Sequence, residues 1–134
     1  MATEFELSYS GSSKSLLDAI AILADHNINL STVATARVGD RYVIKFLTGS
    51  EEEVRRMLMK ADLQFEERPV IIVRMFNKPG QWLKVARSLV DAGIEIHTSY
   101  LLSEKEDTQS FVFAVDNIEG ARKVCTRIAE CSMD

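Results

Sequence analysis

One short run of residues has the makings of a binding site: Asn77-Lys78-Pro79-Gly80-Gln81-Trp82-Leu83. Pro79 suits the first turn of a helix, where its missing N–H would go unpaired in any case. Gly80 leaves the backbone uncovered, so a ligand can approach the N–H groups of that turn. Those donors, with the positive end of the helix dipole, favour an anionic group such as a carboxylate. The Asn77 amide can read a ligand's polar groups. The same residues also admit a plainer reading, in which Asn-x-Pro-Gly does no more than open a helix.

Catalytic arrangements find little support. The two histidines, His26 at a helix end and His97 in a strand, sit in no cluster with metal-ligand spacing. Ser8-Tyr-Ser-Gly-Ser-Ser13 lacks the Gly-x-Ser-x-Gly elbow and reads as a strand end followed by a helix cap. Glu51-Glu52-Glu53 compensates a helix N-terminus, and Gly11-Ser-Ser-Lys14 lacks the spacing of a phosphate-binding loop. Cys125 and Cys131 lie six apart on one expected helix, which makes neither a redox pair nor a zinc knuckle. These residues point to a protein that is not an enzyme and needs no metal or cofactor.

Composition narrows the partners. The formal net charge is −4, with acidic and basic residues mixed along the chain, whereas a nucleic-acid grip concentrates Lys and Arg. No apolar run reaches the ~20 residues that cross a bilayer. The opening Met-Ala-Thr-Glu-Phe-Glu reads as no signal peptide. The expectation is a cytoplasmic protein without nucleic-acid or membrane partners.

The elements that would position the loop recur along the chain. At a shift of 66, Leu16 falls on Trp82, Leu17 on Leu83, Leu23 on Leu89, Asn27 on Gly93 and Ile28 on Ile94. Phe5, Leu7 and Tyr9 alternate with polar residues as a half-wet strand, and Leu16, Leu17, Ile20, Leu23 and Ala24 follow at helical spacing with Ser12 or Ser13 as cap. Asn27 and Gly93 stop the two helices, being the residue types that best tolerate a left-handed conformation. A strand over 28–38, a Gly39-Asp40 hairpin turn and a strand over 41–47 come next. Ser50 and Glu53 have the spacing of a capping box opening a second helix, and Leu63 and Phe65 suggest a short closing strand.

The second half reads as strand 70–76, helix 79–92, strands 94–103 and 109–115, and helix 117–130, with a longer charged loop at Glu104–Asp107. The expected fold is α+β: two ferredoxin-like βαββαβ modules in tandem, 1–67 and 68–134, each an antiparallel sheet with its helices on one face. Ile71, Val73 and Met75 should face the helices, which leaves Val70, Ile72 and Phe76 on a face that something covers. The six residues after Ile128 leave the final strand short or missing, and a second copy of the chain, or a strand exchanged from the first half, would fill the open edge.

The run Asn77-Lys-Pro-Gly-Gln-Trp-Leu83, a helix, and then Asp91-Ala-Gly-Ile-Glu-Ile96 resembles the start of an ACT domain, whose loop is commonly Asp-x-Pro-Gly-x-Leu. Leu17 to Leu30 in the first half resembles the same pattern, so the likeness covers essentially the whole chain as a tandem pair. It implies a regulatory module that binds a small effector, often an amino acid, where two modules meet. The open edge of the second half, filled by a second copy, makes a homodimer the expected assembly, and the resemblance adds a metabolic enzyme or regulator as a further partner. Carried over by position, the ligand-binding residues are Asn77, Lys78, Pro79, Gly80, Gln81 and Trp82 in the loop, with Ile96, Thr98 and Ser99 on the facing strand. Asn77 stands where the family commonly has Asp, Trp82 where it has Leu, and Gly11-Ser-Ser-Lys14 lacks the Pro-Gly. The alternative is a ligand-free module whose seams serve only protein–protein interaction and dimerisation.

Overall fold

The alternating residues of the N-terminus form strand β1, Ala2–Ser10, in a computed structural model that describes residues 2–128 and the backbone of 131–133. Helix α1 follows at Ser13–Asp25, then β2 at Leu30–Val38, β3 at Arg41–Thr48, α2 at Glu51–Lys60 and β4 at Glu66–Phe76. The remaining elements are α3 at Gln81–Asp91, β5 at Ile96–Lys105, β6 at Thr108–Val115, α4 at Ile118–Cys125 and β7 at Cys131–Met133. The chain divides into two compact units, Thr3–Arg68 and Pro69–Asp134, the latter grouped with Met1–Ala2.

In the N-terminal unit β3 pairs antiparallel with both β1 and β2. Two-residue periodicity sends Phe5, Leu7, Ile44 and Phe46 to one face, where Leu16, Ala19 and Leu23 of α1 and Val54 and Leu58 of α2 close over them. Phe5 stacks on Phe46 at 5.5 Å. The C-terminal unit repeats the arrangement in the order β5-β6-β4-β7. Ile71, Val73 and Met75 face Val85 and Leu89 of α3 and Ala121 and Cys125 of α4, as their alternation requires. On the other face Val70 is buried and Phe76 is 37% exposed.

Three helices end in one way. Asn27, Asp62 and Gly93 have φ of 64°, 57° and 81°. The next N–H turns back to the helix, Ile28 to the Leu23 carbonyl, Leu63 to Leu58 and Ile94 to Leu89, each at 3.0 Å. This left-handed stop satisfies carbonyls that the helix end leaves open. The Gly39-Asp40 turn joins the paired residues Val38 and Arg41, with φ 65° at Gly39.

Several expectations need correction. Strand β4 is one continuous element from Glu66, so Leu63 and Phe65 form no strand and pack against the N-terminal core instead. The capping box does not form: the Ser50 side chain makes no cap bond. The Ser50 N–H donates instead to Thr48 Oγ1 at 3.1 Å, and that hydroxyl donates to the Asn29 carbonyl at 2.8 Å. Ser12 is the N-cap of α1 but likewise makes no side-chain cap bond. The charged loop of the second half is shorter than expected, because β5 runs to Lys105 and only Glu106 and Asp107 turn, Glu106 at φ 56°.

Helix α4 stops at Cys125, tightened by bonds from the N–H of Arg127 to the Val124 carbonyl and of Ile128 to the Cys125 carbonyl. Residues 129 and 130, which the expected helix included, lie outside the described residues. Cys131 is therefore not on that helix. It opens β7, which pairs with β4 through Val73↔Met133, Arg74↔Ser132 and Met75↔Cys131. This stretch of the edge is occupied by the chain's own β7, so no second copy is needed to fill it.

Candidate functional site

The Asn77–Gly80 loop leaves β4 where the sheet can no longer hold it. Phe76 still pairs with Thr108, and the Asn77 N–H donates to the Asp107 carbonyl at 2.7 Å, so the β5–β6 turn anchors the loop's first residue. The Lys78 N–H donates to the Phe76 carbonyl, and the Lys78 ammonium sits over the Phe76 ring at 5.6 Å. Pro79 is exposed and precedes the N-cap instead of entering the first turn, as its type had suggested. Gly80 is the N-cap at φ 82°, ψ −5°, a left-handed conformation that costs an L side chain ~1–2 kcal/mol. No atom would meet a Cβ there within 4 Å, so the demand for glycine is conformational and not steric.

No side chain caps the first turn of α3. The N–H groups of Trp82 and Leu83 point out of the helix start with no intrahelical acceptor. Gln81 is 4% exposed, and its Nε2 is enclosed without a hydrogen-bond partner. A buried amide donor in that state is uncommon in a finished fold.

Trp82 lies across the site. Its indole stacks on core residue Phe113 at 6.1 Å and 17°, while 39% of the residue stays exposed. Its Nε1–H donates to Ser99 Oγ at 3.2 Å. The start of α3 and strand β5 are thereby tied together within one unit. Ser99 pairs with Phe113, whereas Thr98 pairs with Ala114 and stands on the opposite face. A register shift between Ile96 and Thr98 accounts for this, with His97 as the extra residue. Ile96 packs against the core. Of the three strand residues, Ser99 is joined to the loop through the Trp82 indole. Asp107 was not expected there; its contact depends on where a distant turn ends, which no local pattern reveals. Among the described residues no group of three or more His, Cys, Asp or Glu is placed to hold a metal ion, and no helix is long and apolar enough to cross a membrane.

The fold has known counterparts. The chain matches protein BT0572 from Bacteroides thetaiotaomicron at a TM-score of 0.86 and 20% identity, over 99% of this chain and 91% of that one. It matches the ligand-free regulatory subunit of aspartate kinase from Thermus thermophilus at 0.67 and 14% identity, over 94% and 91%. It matches aspartokinase III of E. coli, solved with aspartate and ADP, at 0.56 and 18% identity, over 92% of this chain and 30% of that one. The aspartate kinase regulatory subunit has the ACT-domain fold, and the likeness at these identities is one of fold. No family model matches the chain, and no curated protein matches its sequence.

Proposed function

We propose that this chain is a non-catalytic regulatory protein of two ACT-like modules in tandem, and that it binds a small effector, an amino acid, at the loop Asn77–Trp82. The observation that carries this reading is the start of α3. There a left-handed glycine, an uncapped first turn and an enclosed unpartnered Gln81 amide meet beside an indole moored to Ser99. The effector's carboxylate takes the N–H groups of Trp82 and Leu83, the Asn77 amide reads its polar substituents, and Trp82 covers it. A module of a second copy completes the wall. The signal is the effector's difference in affinity between two arrangements of the assembly, since equal affinity for both would transmit nothing.

The fold shared with an aspartate kinase regulatory subunit supports the regulatory reading. The test is thermal unfolding of the full chain against all twenty amino acids, with fluorescence of Trp82, the sole tryptophan, as a second readout. A ligand at 100 times its Kd stabilises by ~2.7 kcal/mol. The expected result is a rise in Tm and a change in Trp82 emission for one chemical group of amino acids, both lost in an Asn77→Ala/Gly80→Val variant that still folds. Silence in both readouts for all twenty would refute the sensor and leave a module that only pairs proteins.

A further inference from the structure

A second polar site lies in the N-terminal unit, on the face of its sheet turned away from the helices. A groove of about 480 Å³ is lined by Glu6 and Ser8 of β1, Arg41 at the start of β3, and Gln64, Phe65 and Glu66 entering β4. That volume lies within the range of small-molecule sites. Arg41 is fixed in it: its Nε–H donates to Ser8 Oγ at 2.9 Å and Nη2 to the Ser8 carbonyl at 3.2 Å. Among the described residues no carboxylate lies within ion-pair distance of this guanidinium, and its Nη1 has no protein partner.

The other side of the groove is acidic. Arg68 holds Glu4 at 2.9 Å, Glu6 at 3.0 Å and Glu66 at 2.8 Å, and Lys45 lies 3.4 Å from Glu6. Three carboxylates thus gather around Arg68, with Lys45 beside one of them. Arg68 engages Glu6 through Oε1 and Glu66 through Oε2, one oxygen of each carboxylate. Burial pulls the Glu6 carboxyl upward, but its hydrogen bonds and charge contacts with Arg68 and Lys45 outweigh that and hold it below the usual carboxylate range.

Opposite charges are therefore kept apart across one groove. Glu6 and Ser8 lie two residues apart on one face of β1, about 7 Å along the strand, and the guanidinium sits on Ser8. One α-amino acid spans that gap with charge-assisted hydrogen bonds of about 2.8 Å at each end. The repeat supplies a control. At the shift of 66, Glu4 and Glu6 correspond to Val70 and Ile72, and the pairings Ser10↔Arg41 and Phe76↔Thr108 put Thr108 where Arg41 stands, so the fold itself does not require this charged face.

We infer that the Arg41 groove binds a small zwitterion, an α-amino acid, with its carboxylate on the Arg41 guanidinium and its ammonium on Glu66 and Glu6. This site is separate from the Asn77–Trp82 loop and does not depend on it.

The test is 15N-resolved NMR of the full chain, titrated with each of the twenty amino acids and with propionate and ethylamine as half-ligands. At least one amino acid should move the Ser8, Arg41 and Gln64 amides and the Arg41 Nε–H, with propionate and ethylamine roughly tenfold weaker or worse. Arg41→Met should abolish these shifts and Arg41→Lys retain part of them, while Asn77→Ala/Gly80→Val leaves them unchanged. Should Arg41→Met fail to fold, Glu66→Gln serves: it weakens the amino acid and spares propionate. The inference is overturned if no amino acid moves these signals, if the shifts survive Arg41→Met, or if propionate binds as well as the zwitterion.

Discussion

Replacing Arg68 by Met should be among the most damaging surface-side changes in the N-terminal unit. Glu4 is fully buried, and the Arg68 guanidinium, 30% exposed, binds it at 2.9 Å while also holding Glu6 and Glu66. Removing one partner of a buried pair costs ~3–5 kcal/mol, because the remaining charge stays in the low-dielectric interior. Since Arg68 is partly solvated, the low end applies, about 3 kcal/mol. For a unit of about 66 residues, total stability is roughly 3–10 kcal/mol, and each kcal/mol moves Tm by about 4–8 °C. Thermal and urea unfolding should therefore show a drop of about 12–24 °C. Adding Glu4→Gln should recover most of the loss, a coupling of ~2 kcal/mol or more in the double-mutant cycle. A loss below ~0.5 kcal/mol would refute the reasoning and reduce the cluster to ordinary solvated charges.

The depressed Glu6 carboxyl gives stability that is present above its ordinary value of 4.5 and lost as pH falls below it, which an acid titration followed by circular dichroism reads. Gly80→Ala should cost ~1–2 kcal/mol through left-handed strain alone, since no atom meets the new methyl; a neutral result in urea unfolding would mean the loop relaxes freely. Thr48→Val should cost ~1–3 kcal/mol by leaving the Asn29 carbonyl and the Ser50 N–H without their hydroxyl, whereas Ser50→Ala should stay within ~0.5 kcal/mol. Equal costs for the two would restore the capping box.

The elements that alternate or repeat over many residues were legible because each carries the same signal several times. Phe5, Leu7 and Tyr9 pointed to their face, and Asn27 and Gly93 marked helix ends by their tolerance of positive φ. Asp62 does the same work but was not read, because aspartate favours many other settings as well. Strand β7 escaped because three residues show no period, and its pairing with β4 is a contact nearly sixty residues away in sequence. Ser50 and Glu53 had the spacing of a capping box, yet Thr48, two residues earlier, reached the N–H first. Side-chain partners were the least legible part. The alternation marked Glu6 as facing water, and only Arg68 and Lys45, brought in by the fold, make it part of a half-buried cluster. In the candidate site the loop was visible as a motif. That Ser99 would meet Trp82 depended on a bulge at His97, which no local pattern announces.

Comparing the two halves separates scaffold from chemistry within one chain. Positions that face the helices keep their character across the shift of 66: Phe5 and Ile71, Leu7 and Val73, Leu23 and Leu89 are buried in their own units. Positions that could meet a ligand do not. The C-terminal unit has the Pro79-Gly80 turn, the enclosed Gln81 amide and Trp82, where the N-terminal unit has Ser13, Lys14 and Ser15-Leu16. The N-terminal unit has Glu4, Glu6 and Arg41 where its counterpart has Val70, Ile72 and Thr108. A charged cluster half-withdrawn from water adds little to stability, since desolvation offsets most of the attraction, so a fold with an apolar solution to the same face does not need it. Polar groups placed at such cost, in one half only and at a different address from the other half's loop, are what two specialised binding sites on a shared scaffold would leave behind.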